Sequence, residues 1–275
     1  MKIARPCGIR PRMKDTHKQR RCAQAWHGGK PYDSKEEIRL AVACEFFDEF
    51  RQLRNDSDGS EAAARTKILD VGCGVGPLRK WLPAEQFELT GMDLSPEAIE
   101  QTKLRYDHAH LLDAEGPWPA ADASFDGLHM GAFMEHVADW HAPLNQANRA
   151  LADGGLVVIS IPNIGYWKEI RRLLCGRQPH WLCDMQHIHG YTAGFFRKLL
   201  TIHGFEVVSV LADRVNFPLL PESRFVRKKF ARWGSVLILA GRLQRRLRVE
   251  DRSLSHLFSE HKDAPLRSIE ILSQG

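Results

Sequence analysis

The chain has 275 residues, of which 43% are hydrophobic and 27% charged. This length allows one large domain with appendages and a sizeable core, and the composition excludes a disordered or fibrous protein. The net charge is +5, but residues 1–30 hold nine Lys or Arg against one Asp, and residues 224–252 hold ten against two acids. The rest of the chain is therefore acidic, which disfavours a nucleic acid backbone as its ligand.

The spacing of the cysteines and the length of the apolar runs indicate in which cellular compartment the protein is expected. The six cysteines contain no Cys-x-x-Cys pair, so we expect reduced thiols rather than a zinc knuckle or a disulfide framework. The charged N-terminal stretch has no apolar segment after it, unlike a secretory signal, and the late run SVLILA is far shorter than the roughly 20 residues of a spanning helix. We predict a cytoplasmic protein without a membrane span. Its expected parts are a flexible basic arm (1–30), one domain (31–245) and a tail (246–275).

Hydrophobic periodicity predicts alternating helices and strands. The first helix covers 34–50, with Ser34 as N-cap and apolar residues at four-residue steps. Further helices are predicted at 95–106, 140–152 (ended by Gly154 and Gly155) and 192–204. Short apolar runs predict seven strands, at 67–71, 87–93, 109–112, 125–130, 156–161, 205–212 and 235–241. This alternation indicates an α/β fold with a mostly parallel, seven-stranded sheet and helices on both faces.

A glycine-rich stretch, ILDVGCGVGP, follows the first strand and is expected to open a helix. Backbone N–H groups in such a turn can approach a ligand closely. A phosphate-binding P-loop is excluded because Gly76 is followed by Pro77 rather than by Lys and Ser or Thr. A dinucleotide site stays open, since Asp93 lies 21 residues after Gly72, where a ribose-binding acid belongs. However, Asp70 would repel a pyrophosphate and suits a cationic nucleoside better.

Four stretches in sequence order resemble the class I S-adenosylmethionine-dependent methyltransferases. They are ILDVGCGVGPL, LTGMDLSPEAIEQTK, LLDAEGPWPAADASFDGLHMGAFMEHV and NRALADGGLVVISIPN, and the resemblance covers roughly residues 66–212. It implies a Rossmann-like methyltransferase sheet and S-adenosyl-L-methionine as cofactor. The sequence between 163 and 192 is expected to form a small cap insertion.

The resemblance also implies a set of cofactor-binding residues. Gly72, Gly74 and Gly76 would let the chain pass against the cofactor, with Asp70 helping to hold that loop and the amino end of the cofactor. Asp93 would accept hydrogen bonds from both ribose hydroxyls, with Leu94 beside it. The remaining predicted contacts are Asp113 and the backbone of Ala114 at the adenine, and Met130 at the adenosine or methionine end.

The sequence gives fewer indications of the residues that would bind the methyl acceptor. His136, in FMEHVADW, is the candidate catalytic residue if the acceptor must lose a proton, although Glu-His-Val is also a common structural pattern. The cap is rich in aromatic and cationic residues, and the candidate substrate-binding residues there are Trp167, Arg171, His189 and Tyr191. Asp184, His187 and His189 offer metal-ligating groups, but short His-x-His pairs are more often structural, so no metal site is predicted.

The cap sequence narrows the resemblance to a branch with ubiquinone-type O-methyltransferases, saccharide- or lipid-cluster methyltransferases and MetW-like proteins. We therefore expect a methyltransferase that transfers a methyl group to an oxygen, in preference to a nitrogen, of a small-molecule or saccharide-like metabolite. Two alternatives stay open. One is a MetW-like, non-catalytic partner of an acyltransferase, and the weaker one is an RNA methyltransferase recruited by the basic arms. The expected partner is a small-molecule acceptor, and a protein partner is possible.

Overall fold

A computed structural model describes residues 34–58, 64–183, 186–218 and 220–247. The helices are α1 (Ser34–Asp58), α2 (Pro96–Thr102), α3 (His141–Ala150), α4 (Trp167–Leu174), α5 (Ala193–Ile202) and α6 (Arg224–Lys229). The strands are β1 (Thr66–Val71), β2 (Phe87–Asp93), β3 (His108–Leu111), β4 (Phe125–Gly131), β5 (Leu151–Pro162), β6 (Phe205–Ala212) and β7 (Val236–Leu243). Short 3₁₀ turns cover Pro77–Lys80, His180–Cys183 and Ala231–Trp233.

The seven strands form one sheet in the order β3-β2-β1-β4-β5-β7-β6. Strands β1 to β5 pair in parallel, and β7 runs antiparallel to both β5 and β6. The order reverses beside β1, where β2 and β4 lie on opposite sides of it. Ligands of open α/β sheets bind at the carboxyl ends of the strands next to such a reversal, so this edge is where a site is expected.

Helices cover both faces of the sheet. The strands are therefore buried on both sides, and their apolar residues alternate between two cores. Ile68 of β1 packs with Phe47 of α1 and Ile99 of α2 in one core. Its neighbour Leu69 packs in the other core, with Leu144 of α3 and Leu199 of α5 among others. The predicted mostly parallel, seven-stranded α/β fold is confirmed.

Three local predictions are wrong. Helix α3 does not run to the glycines at 154 and 155: it ends at Ala150, and β5 begins at Leu151. Gly154 has φ +71°, within an irregular start of β5. The glycine motif opens a four-residue 3₁₀ turn rather than an α-helix. Helix α1 continues to Asp58, beyond the predicted end at residue 50.

The N-terminal arm (1–30) and most of the tail lie outside the described residues. At the other boundary, Leu247 is buried and Arg246 donates from Nη1 to the carbonyls of Asn148 and Arg149. The packed body therefore continues to at least Leu247. In the part of the chain that the structure describes, no helix is both long and apolar enough to cross a bilayer.

Candidate functional site

The glycine motif forms a bend at the carboxyl end of β1 in which every glycine is left-handed. Gly72, Gly74 and Gly76 have φ of +70°, +53° and +72°, a conformation that residues with a Cβ seldom adopt. Two of them also lie against side chains. A Cβ on Gly72 would be 2.9 Å from Cδ2 of Phe133, and one on Gly76 would be 3.1 Å from Cε1 of Tyr106. The glycines therefore allow both the bend and its close packing.

Asp93 closes β2 beside this bend, and backbone donors fix its carboxylate. Gly74 N–H donates to Oδ2 at 2.9 Å and Ser95 N–H donates to Oδ1 at 2.8 Å. Burial raises the pKa of Asp93, although backbone hydrogen bonds from Ser95, Gly74 and Leu94 act in the opposite direction. A carboxylate has about four acceptor positions, so Asp93 can also accept from a ligand. The carboxylate and the bend can thus receive a ligand with adjacent hydroxyls.

Asp70 contacts side chains of the protein, whereas a contact with the cofactor was expected. It is 1% exposed, and its Oδ1 lies 2.7 Å from Nδ1 of His129 while its Oδ2 accepts from the Tyr106 hydroxyl at 2.7 Å. The same hydroxyl accepts from Leu78 N–H at 3.1 Å. Burial, and then the Asp70 charge, raise the pKa of Tyr106. Asp70 therefore supports the glycine bend indirectly. It accepts from the Tyr106 hydroxyl, and the same hydroxyl binds Leu78 N–H in the 3₁₀ turn that follows the bend.

His129 and Tyr106 were not among the predicted site residues. His129 is 59 residues from Asp70 and Tyr106 is 36 residues away, so no local motif joins them. The position of His129 in β4, a strand that is buried on both faces, was the available signal, because a buried imidazole needs a polar partner.

The other predicted cofactor contacts lie at the ends of neighbouring strands. The carbonyl of Asp93 accepts from Leu112 N–H, which joins the ends of β2 and β3. One residue later, Oδ1 of Asp113 accepts from Glu115 N–H, and the carbonyl of Ala114 accepts from Trp118 Nε1. Leu94 is half-buried next to Asp93. Met130 is fully buried in the core that contains Leu144, so its side chain has no exposed surface to offer a ligand.

A cavity of about 80 Å³ opens at the carboxyl ends of β1, β4 and β5. Its lining includes Gly72, His129, Ala132 and Ser160 from this edge of the sheet, and Arg39 from α1. The cavity is small, and its walls combine apolar side chains such as Leu40 and Pro77 with the polar groups of Asp70 and Ser160. It lies beside the glycine bend and can receive only a small part of a ligand.

The four predicted substrate-binding residues form two groups in the cap. Trp167 donates from Nε1 to the carbonyl of Val215, and the guanidinium of Arg171 lies 5.9 Å from the Trp167 ring centroid. His189 instead packs on Trp140, with ring centroids 5.1 Å apart. Tyr191 is fully buried, and its hydroxyl donates to the carbonyl of Met134. Tyr191 therefore packs the cap onto the domain rather than presenting a surface to an acceptor.

His136 follows β4 and is half-buried at the edge where the cap joins the domain. Its Nδ1 lies 3.3 Å from the carbonyl oxygen of Gln186. A carbonyl only accepts hydrogen bonds, so this contact places the proton on Nδ1 and leaves Nε2 with a lone pair. The ring is packed beside His187, with centroids 4.9 Å apart.

Several curated proteins are similar to part of this chain. The chain is 27% identical over 146 residues to a ubiquinone biosynthesis O-methyltransferase of Hydrogenovibrio crunogenus, covering 50% of this chain and 55% of that protein. It is 32% identical over 119 residues to a demethylmenaquinone methyltransferase of Staphylococcus haemolyticus, covering 39% and 49%. It is also 29% identical over 142 residues to the O-methyltransferase rstn1 of Aspergillus nomiae, covering 49% and 61%. The chain thus spans about half the length of the curated relatives it matches.

Solved structures share the fold. An S-adenosylmethionine-dependent methyltransferase from Archaeoglobus fulgidus superposes with a TM-score of 0.51 at 16% identity, covering 72% of this chain and 97% of that one. A putative methyltransferase, solved with the Trm112 activator of Haloferax volcanii, gives 0.50 at 15% identity, covering 78% and 100%. A family profile described as a methyltransferase domain matches residues 36–210. The chain therefore belongs to the methyltransferase domain family and has the fold of class I S-adenosylmethionine-dependent methyltransferases.

Proposed function

We propose that the chain binds S-adenosylmethionine and transfers its methyl group to an oxygen of a small-molecule or saccharide-like metabolite. The observation that carries this proposal is the Asp93 carboxylate, fixed by Gly74 and Ser95 N–H beside a left-handed glycine bend. The residues present fit the cofactor, because the three glycines of the bend carry no side chains and the Asp93 carboxylate can still accept hydrogen bonds. When bound, this cofactor supplies an electrophilic methyl group on a sulfonium.

The binding residues follow from the site. Asp93 would accept from the paired hydroxyls of a ribose, a recognition that needs the two oxygens of one carboxylate. Asp113, at the end of the neighbouring strand β3, would accept from an exocyclic amino group. The bend from Gly72 to Gly76 would approach the rest of the nucleoside with its backbone.

The acceptor end is supplied by the loop after β4 and by the cap. His136, with its proton on Nδ1, has a lone pair on Nε2 that can take a proton from a hydroxyl acceptor. Trp167 with Arg171 places an aromatic face beside a cation, which suits a planar or anionic acceptor. Oxygen is preferred over nitrogen as the methylated atom because two of the relatives are named O-methyltransferases. Alignment of the acceptor and exclusion of water would be the protein's main contributions.

The test is to identify the methylated product. The full chain is incubated with methyl-labelled S-adenosylmethionine and a metabolite extract of the host, and labelled products are identified by mass spectrometry. We expect label on an oxygen of a small molecule, and none with the Asp93→Asn variant. Label only on nitrogen or on RNA would overturn the acceptor class. Binding of the cofactor with no labelled product, together with co-purification of an acyltransferase, would favour a MetW-like accessory role instead.

A further inference from the structure

Three potential metal ligands converge between the loop after β4 and the loop before α5. Glu135, His136 and His187 each offer one ligand atom, and these three atoms lie within 4.8 Å of one another. Glu135 is 1% exposed and the two histidines are half-buried. A carboxylate is costly to bury without compensation. The cluster thus combines one buried carboxylate with two imidazoles.

Both histidines contact a backbone carbonyl oxygen through Nδ1. His187 Nδ1 lies 2.8 Å from the carbonyl oxygen of Trp181, and His136 Nδ1 lies 3.3 Å from that of Gln186. Because a carbonyl oxygen only accepts, each Nδ1 is the donor in these contacts. Metal-ligating histidines almost always donate their second ring N–H to a carbonyl or carboxylate in this way. The two rings thus have the carbonyl contacts that are typical of metal-ligating histidines.

The two loops are also joined by hydrogen bonds, so the cluster does not depend on an ion to bring them together. The carbonyl of Glu135 accepts from Ile188 N–H at 2.9 Å and from His189 N–H at 3.3 Å. Tyr191, further along the second loop, donates its hydroxyl to Met134 at 2.9 Å.

We propose that Glu135, His136 and His187 bind a divalent transition-metal ion of the zinc class. Two imidazoles and one carboxylate are a ligand set of zinc sites that keep a fourth position open for an oxygen ligand, and the same donors disfavour magnesium. Contraction of the cluster would bring the ligand atoms to about 2.0–2.2 Å from a common ion.

The loop that carries Glu135 also packs on the glycine bend. Phe133 is the side chain that lies against Gly72, so the proposed ion would be held at the same edge of the sheet as the bend. Nε2 of His136 would then be a ligand rather than a proton acceptor, and an acceptor hydroxyl would lose its proton by another route. The metal site does not rest on the proposed function, because metal binding needs neither methyl donor nor acceptor.

The test is a zinc titration of the full chain. Protein stripped with a chelator and dialysed is titrated with ZnCl₂ at pH 7 by calorimetry, with MgCl₂ as the comparison. We expect one zinc per chain and no saturable binding of magnesium. His187→Ala should weaken zinc binding by at least about 100-fold, since removing even a hydrogen-bond partner of a ligand typically costs 10- to 100-fold. His108→Ala is the matched control. His108 lies two residues from His110 on β3 and its side chain is 59% exposed, which makes it a surface His-x-His residue outside the cluster.

Two further measurements keep the outcome decisive. Glu135→Gln preserves the side-chain volume and should also weaken zinc binding while circular dichroism shows a folded chain. Co²⁺ in place of Zn²⁺ should give a visible absorption spectrum that His187→Ala abolishes. The proposal is overturned if the stripped protein binds no zinc, or if His108→Ala removes the binding and His187→Ala does not, which would mean an adventitious ion only. In either case S-adenosylhomocysteine binding would be unaffected, so failure here is distinguishable from failure of the proposed function.

Discussion

Tyr106→Phe tests whether the buried Asp70 network supports the glycine bend. The substitution keeps the ring, which lies beside the Cβ positions of Gly76 and Gly91, and removes only the hydroxyl. That hydroxyl donates to Asp70 at 2.7 Å and accepts from Leu78 N–H at 3.1 Å. Its loss leaves Asp70 without one donor and Leu78 N–H without an acceptor.

The magnitude follows from these two contacts. A hydrogen bond to a charged group contributes about 1.5–3 kcal/mol, and a buried polar group left unsatisfied costs about 1–3 kcal/mol. The two losses share one atom and are not additive, so we expect the free energy of unfolding to fall by about 3 kcal/mol. This is a large part of the roughly 5–15 kcal/mol of a typical domain.

Urea-induced unfolding followed by circular dichroism measures this loss. The midpoint should fall while the slope of the transition stays unchanged. Tyr166→Phe is the matched control, because the Tyr166 hydroxyl accepts one hydrogen bond of 3.2 Å from Asn216, and its removal should cost about 1 kcal/mol or less. If Tyr106→Phe costs no more than Tyr166→Phe, the network does not support the bend as described.

Two further predictions concern the bend and a buried histidine. Gly72→Ala should lower stability by more than Gly176→Ala. Both residues have positive φ, but only Gly72 lies against a side chain, and the strain alone costs about 1–2 kcal/mol. Burial lowers the pKa of His203 to about 4, below about 6.5 in the unfolded chain. The unfolded chain therefore binds more protons between these values, and stability present at pH 7 is lost as the pH falls. His203→Gln should reduce the loss between pH 7 and 5 by about 2 kcal/mol in urea unfolding.

The predictions for Gly72→Ala and His203→Gln each have a control variant. Equal destabilisation by Gly72→Ala and Gly176→Ala would mean that the contact with Phe133 is not limiting. His108→Ala removes an exposed histidine and should keep the pH dependence of the wild type. If His203→Gln shows the same pH dependence as well, the buried imidazole is not its source.

The sequence predicted the bounds of helices and strands well where these depend on a local pattern of residues. Strands β2 and β6 lie at the predicted bounds, because apolar residues at alternate positions, such as Phe87 and Leu89 or Phe205 and Val207, indicate a strand. Helix α5 begins after Thr192, whose side chain caps it as such residues do, and is followed by Gly204 at φ +84°. Boundaries that depend on sheet pairing were missed: residues 151–155 extend β5, with Leu151 paired to Phe125 of β4.

The site could be predicted only where its residues belong to one motif. The three glycines and Asp93 have fixed spacing, so their position at adjacent strand ends followed from the order of elements. By contrast, Asp70 meets His129 and Tyr106, and Glu135 meets His187, only because the sheet brings distant segments together. Burial also altered roles. Met130 and Tyr191 carry suitable chemistry in the sequence, but both are fully buried in the fold.

The central claim is that the Asp93 carboxylate holds the ribose of S-adenosylmethionine, and calorimetry with S-adenosylhomocysteine tests it directly. Asp93→Asn retains the shape but has only one acceptor oxygen, so we expect affinity to fall by about 100-fold, equivalent to about 2.7 kcal/mol. Asp153→Asn, which changes an acid that is 87% exposed, should bind as the wild type does. No binding by the wild type, or equal binding by Asp93→Asn, would contradict the account.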